Sequence, residues 1–524
     1  MRSTFREVFS ALVLALFASA TWSQVPTGNY PFGTYDTLGP DTINVGNLNV
    51  YLSIPILNKT GRGMNFTYGL VYNSSIWKPV SSTGSQVWTP AQQFGWQANT
   101  VDPVGSYSYH TSVNIVQYPC PHGGTCECNT TSYSDFSYTD PFGVTHYYGF
   151  TTVNGTSGGC PSPYNHSTPT GSGLPSDGSG YSMSVTNYIQ ATITSGGAKQ
   201  FVPVGSSSTP SVTDSNGNQI TISGSSFIDT TGNTALTIGG GAPNPQTFKY
   251  TDTNGNTQTV SMNYSTYTVE TAFGCSGVTE YGANGTTQNS LVSSITFPDG
   301  SSYKFTYEAT PGHSGNVTGR LSGVQLPQGD WIYYSYSGGN EGIECADGST
   351  AGLTRTLNID SGSASSTWTF TRSFPNGSGT SHTAVVDGLN NNLAYDFVQA
   401  TGFTAEYLET NRSVYNGAAT GTPVIARGTC YNAASYPCLK TAISLPLSQV
   451  DTYESINGSG LHGSTVTYIA NATPCSWYSA DQSNCTIYNS YNQGYTADYV
   501  IEALSGFTNR TGLKVGDKIK INYA

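Results

Sequence analysis

The chain has 524 residues, of which only 9% are charged, and its formal net charge is −12. It is long enough to bury a large core, but its surface must be built from hydroxyl and amide groups, which suits strands and turns better than helices. The 18 Lys and Arg residues form no basic run, which argues against a nucleic-acid partner.

The first 23 residues are typical of a cleaved secretory signal. Arg2 and Arg6 precede an apolar stretch, Val8 to Phe17, that is short for a membrane span, and small residues follow it. Cleavage fits after Ala20 and after Ser23, and an uncleaved anchor is the alternative. Because no later stretch is apolar and long enough for a membrane helix, we expect a secreted, periplasmic or bacterial cell-surface protein.

Composition and turn signals divide the rest of the chain into four regions. An N-terminal β region covers residues 24–155, and a Gly/Ser/Pro-rich loop follows at 156–180. A β-hairpin region covers 181–400, and a C-terminal β region with local disulfides covers 401–524. The best short helix candidate is Tyr495–Leu504. We therefore predict an all-β protein, predominantly antiparallel and built from repeated hairpins, with very little helix.

Ten cysteines, an even number, suit disulfides in an oxidising compartment. Two pairs are close in sequence, Cys430 with Cys438 and Cys475 with Cys485. A third group contains Cys120, Cys126, Cys128 and Cys160, and Cys275 and Cys345 are left to each other. The stretch CPHGGTCEC could alternatively offer three thiolates and His122 to zinc, although its spacing is not that of a zinc ribbon. We expect structural disulfides whose connectivity the sequence leaves open.

The stretch SITFPDGSSYKFTY, Ser294 to Tyr307, predicts a β-hairpin, because apolar and polar side chains alternate on both sides of a turn. Tyr303, Phe305 and Tyr307 lie three, five and seven residues after Gly300. The same register recurs 29 residues later, where Ile332, Tyr334 and Tyr336 follow Gly329. Weaker copies centre on Gly143, Gly217, Gly255 and Asn390. We expect these turn residues to need a positive φ, and the two aromatic triplets to share one sheet face.

FPDGSSYKFTY and GRLSGVQLPQGDWIYYSYSGGN resemble the YD repeats of Rhs-type proteins, in which an aromatic strand follows a turn glycine. The family's link to the next unit is matched by Gly319, Leu321, Val324, Pro327 and Gly329. The stretch from Asp41 to Trp77 is similar to the segment that opens many secreted Rhs-repeat proteins. Its matching positions are Gly46-Asn47-Leu48, Ile54-Pro55, Gly61-Arg62-Gly63, Tyr72-Asn73-Ser74 and Trp77.

The resemblance implies a β-sheet spiral, which forms a hollow shell in some family members and a surface contact protein in others. It also implies partners among other Rhs-type polypeptides, cell-surface glycans or a neighbouring-gene product. The chain contains few repeat units, too few for a closed shell, and no Rhs core motif or toxin domain is recognisable. It is therefore expected to be a short member or a fragment of a longer array.

No catalytic constellation emerges from the sequence. Gly155–Gly159, GTSGG, matches a nucleophile elbow, but no helix follows it. Glu406 and Glu409 are interpreted as a solvated strand face, and His146 as a packed neighbour of aromatic residues. We expect a non-enzymatic protein without cofactor or metal, with a shell, scaffold or contact role that includes carbohydrate binding. The alternative is a secreted, glycosidase-like hydrolase, which would need Asp and Glu side chains clustered in one cleft.

Overall fold

Strands make up 63% of the residues and helix 2%, which confirms the prediction of an all-β, largely antiparallel protein. This computed structural model describes residues 32–60, 64–82, 85–99, 104–120, 122–140, 144–155, 167–175, 179–195, 199–206, 208–343, 345, 350–359, 364–374, 379–401, 407–432, 443–444, 447, 449–460, 462–467, 496–500 and 518–522. The proposed signal segment and Gly143 lie outside this set, as do Cys160, Cys438, Cys475 and Cys485.

The N-terminal region forms two sheets and a hairpin. The N-terminal sheet has the order β1-β2-β3-β4-β7, and the arm sheet joins β8, β10 and β11 to β9, while β5 pairs with β6. The bounds are β1 (Tyr35–Thr37), β2 (Asp41–Asn44), β3 (Val50–Lys59), β4 (Phe66–Asn73), β5 (Trp77–Ser82), β6 (Ser85–Pro90), β7 (Trp96–Asn99), β8 (Ser106–Pro119), β9 (Thr125–Thr139), β10 (Thr145–Tyr148) and β11 (Thr152–Gly155).

The rest of the described chain is dominated by a 23-stranded sheet, called the long sheet here, whose strands follow one another almost strictly in sequence order. The strands are β12 (Gly171–Gly173), β13 (Ser182–Thr186), β14 (Gln190–Thr194), β15 (Gln200–Val202), β16 (Ser211–Thr213), β17 (Gln219–Ser223), β18 (Ser226–Ile228), β19 (Thr234–Gly240), β20 (Gln246–Thr251), β21 (Thr257–Thr268), β23 (Gln288–Thr296), β24 (Ser302–Ala309), β25 (Val317–Gln325), β26 (Trp331–Gly338), β27 (Ala351–Ile359), β28 (Ala364–Ser373), β29 (Thr380–Val386), β30 (Asn392–Thr401), β31 (Tyr407–Tyr415), β32 (Ile425–Tyr431), β33 (Ile443–Ser444), β34 (Gln449–Ile456) and β35 (His462–Thr467).

This order is what tight turns dictate, because a short connection can only bring the next strand back antiparallel to the last one. The exception is β33, which pairs in parallel with β30. Outside the long sheet, β22 (Val278–Thr279) pairs in parallel with β6 and so ties the β5–β6 hairpin to a loop of the long sheet.

One face of the long sheet is covered by the N-terminal sheets. The rings of Phe66 and Phe227 lie 5.2 Å apart, and those of Trp96 and Phe305 lie 4.9 Å apart. At the start of the long sheet, the Tyr148 hydroxyl of the arm sheet donates to the backbone oxygen of Tyr181. A single hydrophobic cluster extends from residue 43 to residue 407, so the regions before and after the Gly/Ser/Pro-rich loop share one core.

The helix candidate Tyr495–Leu504 is wrong over the part that the structure describes. β36 (Thr496–Val500) is a strand, and it pairs antiparallel with β37 (Lys518–Asn522). Thr, Tyr and Val favour strands, and the alternating partner KIKIN supplies the ladder that overrides any helical preference. Two single-turn 3-10 segments, Gln92–Gly95 and Gly339–Gly342, are present. Within the described ranges no helix has the length and apolar character to cross a membrane.

Candidate functional site

The two best-matched repeat hairpins have identical turns. In each, the first residue of a five-residue turn donates its N–H to the fifth carbonyl, from Phe297 to Ser301 and from Leu326 to Asp330. The fourth residue, Gly300 or Gly329, donates back to the first, with φ values of +86° and +108°. This is a three-residue loop whose last position is left-handed, the conformation for which glycine carries no steric penalty.

The weaker copies use the same turn with an aspartate at its first position. Gly217, Gly255 and Asn390 have φ values of +79°, +82° and +62°. The Oδ1 of Asp214 accepts the backbone N–H groups two and four residues on, and Asp252 and Asp387 do the same. A further copy, Asp229 to Asn233, has the same Asp-x-x-Gly pattern and the same turn, but Ala235 and Thr237 stand where the Gly217 and Asn390 copies carry large apolar residues three and five positions after the turn residue.

These six turns all lie at one edge of the long sheet, called the turn edge here. They follow its fifth, seventh, ninth, eleventh, thirteenth and seventeenth strands. In an antiparallel meander, connections after odd-numbered strands share an edge. The opposite edge carries the longer loops, including those that the Cys275–Cys345 disulfide joins.

The aromatic triplets share the buried face of the long sheet. Phe305 is the cross-strand partner of Val324, and Val324 is the partner of Ile332, so β25 lies between the two aromatic strands. Phe305, Tyr307, Ile332 and Tyr334 are all less than 9% exposed, and Tyr303 and Tyr336 are partly buried against the same core. The N-terminal sheet covers this face, so its tyrosines form a packed core and do not line a cavity.

The opening segment, Asp41 to Trp77, directly contacts the link motif, Gly319 to Gly329. The backbone N–H of Leu321 in the link motif donates to the Tyr72 hydroxyl at 2.9 Å. Trp77 Nε1 donates to the backbone oxygen of Thr318, also at 2.9 Å. Burial raises the pKa of Tyr72 well above its ordinary value, so this hydroxyl stays protonated. The opening segment is thereby fixed to the repeat region.

A β-bulge in β25 creates the groups that Tyr72 and Trp77 bind. Opposite Tyr307 and Ala309 on β24, β25 inserts extra residues between Leu321 and Val317. A bulge leaves backbone groups outside the ladder, and buried backbone groups need partners. Gly319 in this bulge has φ +83°, and a Cβ atom there would lie 2.9 Å from the Phe94 ring. The link glycine is therefore needed for both backbone angle and space.

The opening segment is also held by a buried ion pair. Arg355 on β27 makes a two-pronged contact with Asp41, at 2.6 Å from Nε and 2.8 Å from Nη2. The Tyr334 hydroxyl donates to the same carboxylate at 2.8 Å. Asp41 and Arg355 are both fully buried. Because a buried charge without a partner is costly, this pairing specifies which segment covers the inner face.

Other buried or largely buried carboxylates also have structural partners. Glu308 binds Arg320 through both carboxylate oxygens. Glu409 was interpreted as solvated, but it is only 6% exposed and binds Arg412 and Thr34. The sequence pattern predicts a strand but does not show what covers each of its faces. Glu409 lies on a covered part of the long sheet's inner face. Glu406 lies outside the described residues.

Glu270 is the buried carboxylate with the most polar setting. Its carboxylate accepts a hydrogen bond from the side-chain amide of Asn316, and its Oε2 lies 3.2 Å from Nδ1 of the half-exposed His313. His146 is 1% exposed between the rings of Tyr138 and Tyr181, as a packed neighbour would be. Gly155 ends β11, and the rest of the GTSGG match is outside the described residues.

Disulfides occupy the described cysteines. Cys120 is bonded to Cys126 across the tip of the β8–β9 hairpin, and Cys275 is bonded to Cys345. Cys128 and Cys430 are also disulfide-bonded, to partners outside the described residues. In this structure Cys120, Cys126 and Cys128 are in disulfides, whereas the zinc alternative for CPHGGTCEC requires them as thiolate ligands. No group of three His, Cys, Asp or Glu side chains suited to a metal occurs in the described part of the chain.

The outer face of the long sheet carries an aromatic pair, of which Tyr333 is exposed and Trp331 is half-buried. The rings of Trp331 and Tyr333 are stacked with their centroids 5.4 Å apart and their planes 6° apart. They alternate with Ile332 and Tyr334, which point to the core, and Tyr333 is 39% exposed. The sequence comparison concentrated on the buried positions after Gly329 and missed these two. Period-2 alternation places these two residues together on the face opposite to Ile332 and Tyr334, although it does not show that this face is the outer one.

Comparison with protein-family models finds no matching family, and comparison with curated proteins finds no relative.

Proposed function

We propose that the mature chain is an exported, non-catalytic contact scaffold that acts through its outer surface. One observation carries this proposal, namely that the N-terminal sheet occupies the aromatic inner face of the long sheet. The contacts of Tyr72 and Asp41 hold it there. A chain that covers its own inner face in this way leaves that part of the face unavailable to a cargo.

Three further observations support the proposal. Disulfides suit an oxidising compartment, which agrees with the export signal in the sequence. The buried acids Asp41 and Glu409 and the largely buried Glu308 are paired with arginines, whereas a glycosidase needs two carboxylates free to face a sugar. The meeting of the two Rhs-like motifs gives each a structural role, which supports the kinship with short secreted Rhs-repeat proteins as part of the same proposal.

The test uses the exported chain from residue 24 onward with its disulfides intact. Native mass spectrometry should give the mass of this chain with no second polypeptide, and the labelled protein should bind bacterial envelopes saturably. Envelope polysaccharides incubated with it should gain no reducing ends. A stoichiometric enclosed polypeptide would make the chain a container, and turnover of polysaccharide would make it a hydrolase; either result would overturn the proposal.

A further inference from the structure

The pair formed by Trp331 and Tyr333, called the outer aromatic pair here, is held in place by the glycine beside it. Gly323 on β25 is the cross-strand partner of Tyr333. A Cβ atom at Gly323 would lie 3.3 Å from Tyr333 Cδ1 and 3.4 Å from Trp331 Cζ3. Both rings therefore rest against the glycine backbone, which orders them before any ligand arrives and lowers the entropy lost on binding.

Apart from Gly323, the direct cross-strand neighbours of the outer aromatic pair are polar and uncharged. In the sheet register, Trp331 lies between Gln325 and Asn358, and Tyr333 lies beside Thr356. The next outward positions are Ser335 and Thr354, and Thr356 contacts Thr367 at 3.2 Å through their hydroxyls. Amide and hydroxyl groups at cross-strand distance from the exposed Tyr333 ring and the half-buried Trp331 ring offer donors and acceptors around an aromatic surface.

We propose that the outer aromatic pair is a binding site for neutral glycans, an inference that rests on the proposed contact function. The C–H bonds on one face of a pyranose ring are weakly positive and suit the negative face of an aromatic ring. The sugar hydroxyls would find partners in the surrounding Asn, Gln, Thr and Ser side chains.

The charges of the protein argue against an acidic glycan as the ligand. No charged residue is a direct cross-strand partner of Trp331 or Tyr333. The whole chain has a formal net charge of −12, which repels anionic polymers. Apolar peptides fit less well, because the neighbours of the pair are hydroxyl and amide groups and the exposed apolar area is confined to two rings.

The test measures binding of neutral glucose and galactose hexasaccharides by isothermal titration calorimetry, with hexagalacturonate as the acidic comparison. Trp331→Thr and Tyr333→Thr should each weaken binding at least tenfold, whereas Tyr333→Phe should retain it. The matched control is Tyr453→Thr, because Tyr453 also rests against a cross-strand glycine, Gly463, on the outer face. Thermal unfolding shows whether each variant is folded.

A second variant keeps the site testable if the threonine variants unfold. Thr356→Arg leaves both rings in place and lays a long side chain across them from the neighbouring strand, so it should also weaken binding. The inference is overturned if wild type binds no neutral hexasaccharide, if it prefers hexagalacturonate, or if Tyr453→Thr loses as much affinity as Tyr333→Thr. Envelope binding that persists without glycan binding would remove this site alone and leave the contact function standing.

Discussion

The hydroxyl of Tyr72 accepts the backbone N–H of Leu321, a residue 249 positions further along the chain. The N–H is available because the bulge around Gly319 takes it out of the β24–β25 ladder. Two motifs that are far apart in sequence thus complete one another's hydrogen bonds.

Tyr72→Phe is predicted to destabilise the fold, because it removes the acceptor for a buried N–H while keeping the ring. An unsatisfied buried donor costs about 1–3 kcal/mol in free energy of unfolding. Tyr68→Phe is the matched control, since Tyr68 is equally a buried tyrosine of β4 whose ring packs against Phe66, Phe227 and Phe248. Urea unfolding followed by tryptophan fluorescence compares them. Equal stability of the two variants would contradict the assigned role of the hydroxyl.

Asp41→Asn is predicted to cost about 3–5 kcal/mol, because it leaves Arg355 as a buried charge without a counter-ion. Asp396→Asn is the control, since Asp396 pairs with His382 but its side chain is half exposed. Exposed pairs contribute about 0–1 kcal/mol. The measurement is equilibrium urea denaturation at neutral pH. If both substitutions had similarly small effects, the opening segment would not depend on the Asp41–Arg355 pair.

Gly319→Ala is predicted to destabilise more than Gly300→Ala. Both glycines have φ above +80°, so both changes strain the backbone at a cost of about 1 kcal/mol. Only at Gly319 does the new Cβ also meet a ring, whereas nothing lies within 4 Å at Gly300. Gly300→Asn should be milder than Gly300→Val, as the natural Asn390 at φ +62° indicates. Thermal unfolding ranks the four variants by melting temperature. The explanation is refuted if Gly300→Ala is less stable than Gly319→Ala, or if Gly300→Asn is less stable than Gly300→Val.

Acid is predicted to weaken the turn edge. The side-chain hydrogen bond from Asn218, aided by backbone N–H groups, lowers the pKa of Asp214. The hydrogen bonds from Gln258 and Asn256 do the same to the pKa of Asp252. A pKa lowered in the folded state adds stability that is present at neutral pH and is lost as the pH falls below about 4.

The double variant Asp214→Asn/Asp252→Asn tests this directly by differential scanning calorimetry from pH 7 to pH 2. Its melting temperature should be below that of wild type at pH 7. The difference in melting temperature should narrow as the pH falls, because protonation removes from the wild-type aspartates the same charge that the substitutions remove. A gap that stays constant with pH would show that the charges of these turns are irrelevant to stability.

The all-β fold class and the turns were predictable from the sequence, because both depend on residues that are close to each other along the chain. Alternation placed Phe305 and Tyr334 on one face, and Asn390 in place of glycine indicated a positive φ. The partner of that face was not predictable, because the contacts of Asp41 with Arg355 and of Tyr72 with Leu321 join segments that only the completed fold brings together. Alternation also cannot say which face is outside, so the exposure of Tyr333 required the structure.

The central claim is that the opening segment and the repeat region form one body with a filled interior. Hydrogen exchange of the mature chain in increasing urea, followed by mass spectrometry, tests it on β3, β4, β25 and β27. We predict that all four strands open together, at one free energy, because β3 and β4 cover the face to which β25 and β27 contribute. If β3 and β4 exchanged at a much lower free energy while β25 and β27 stayed protected, the interior would be open, and the account would be contradicted.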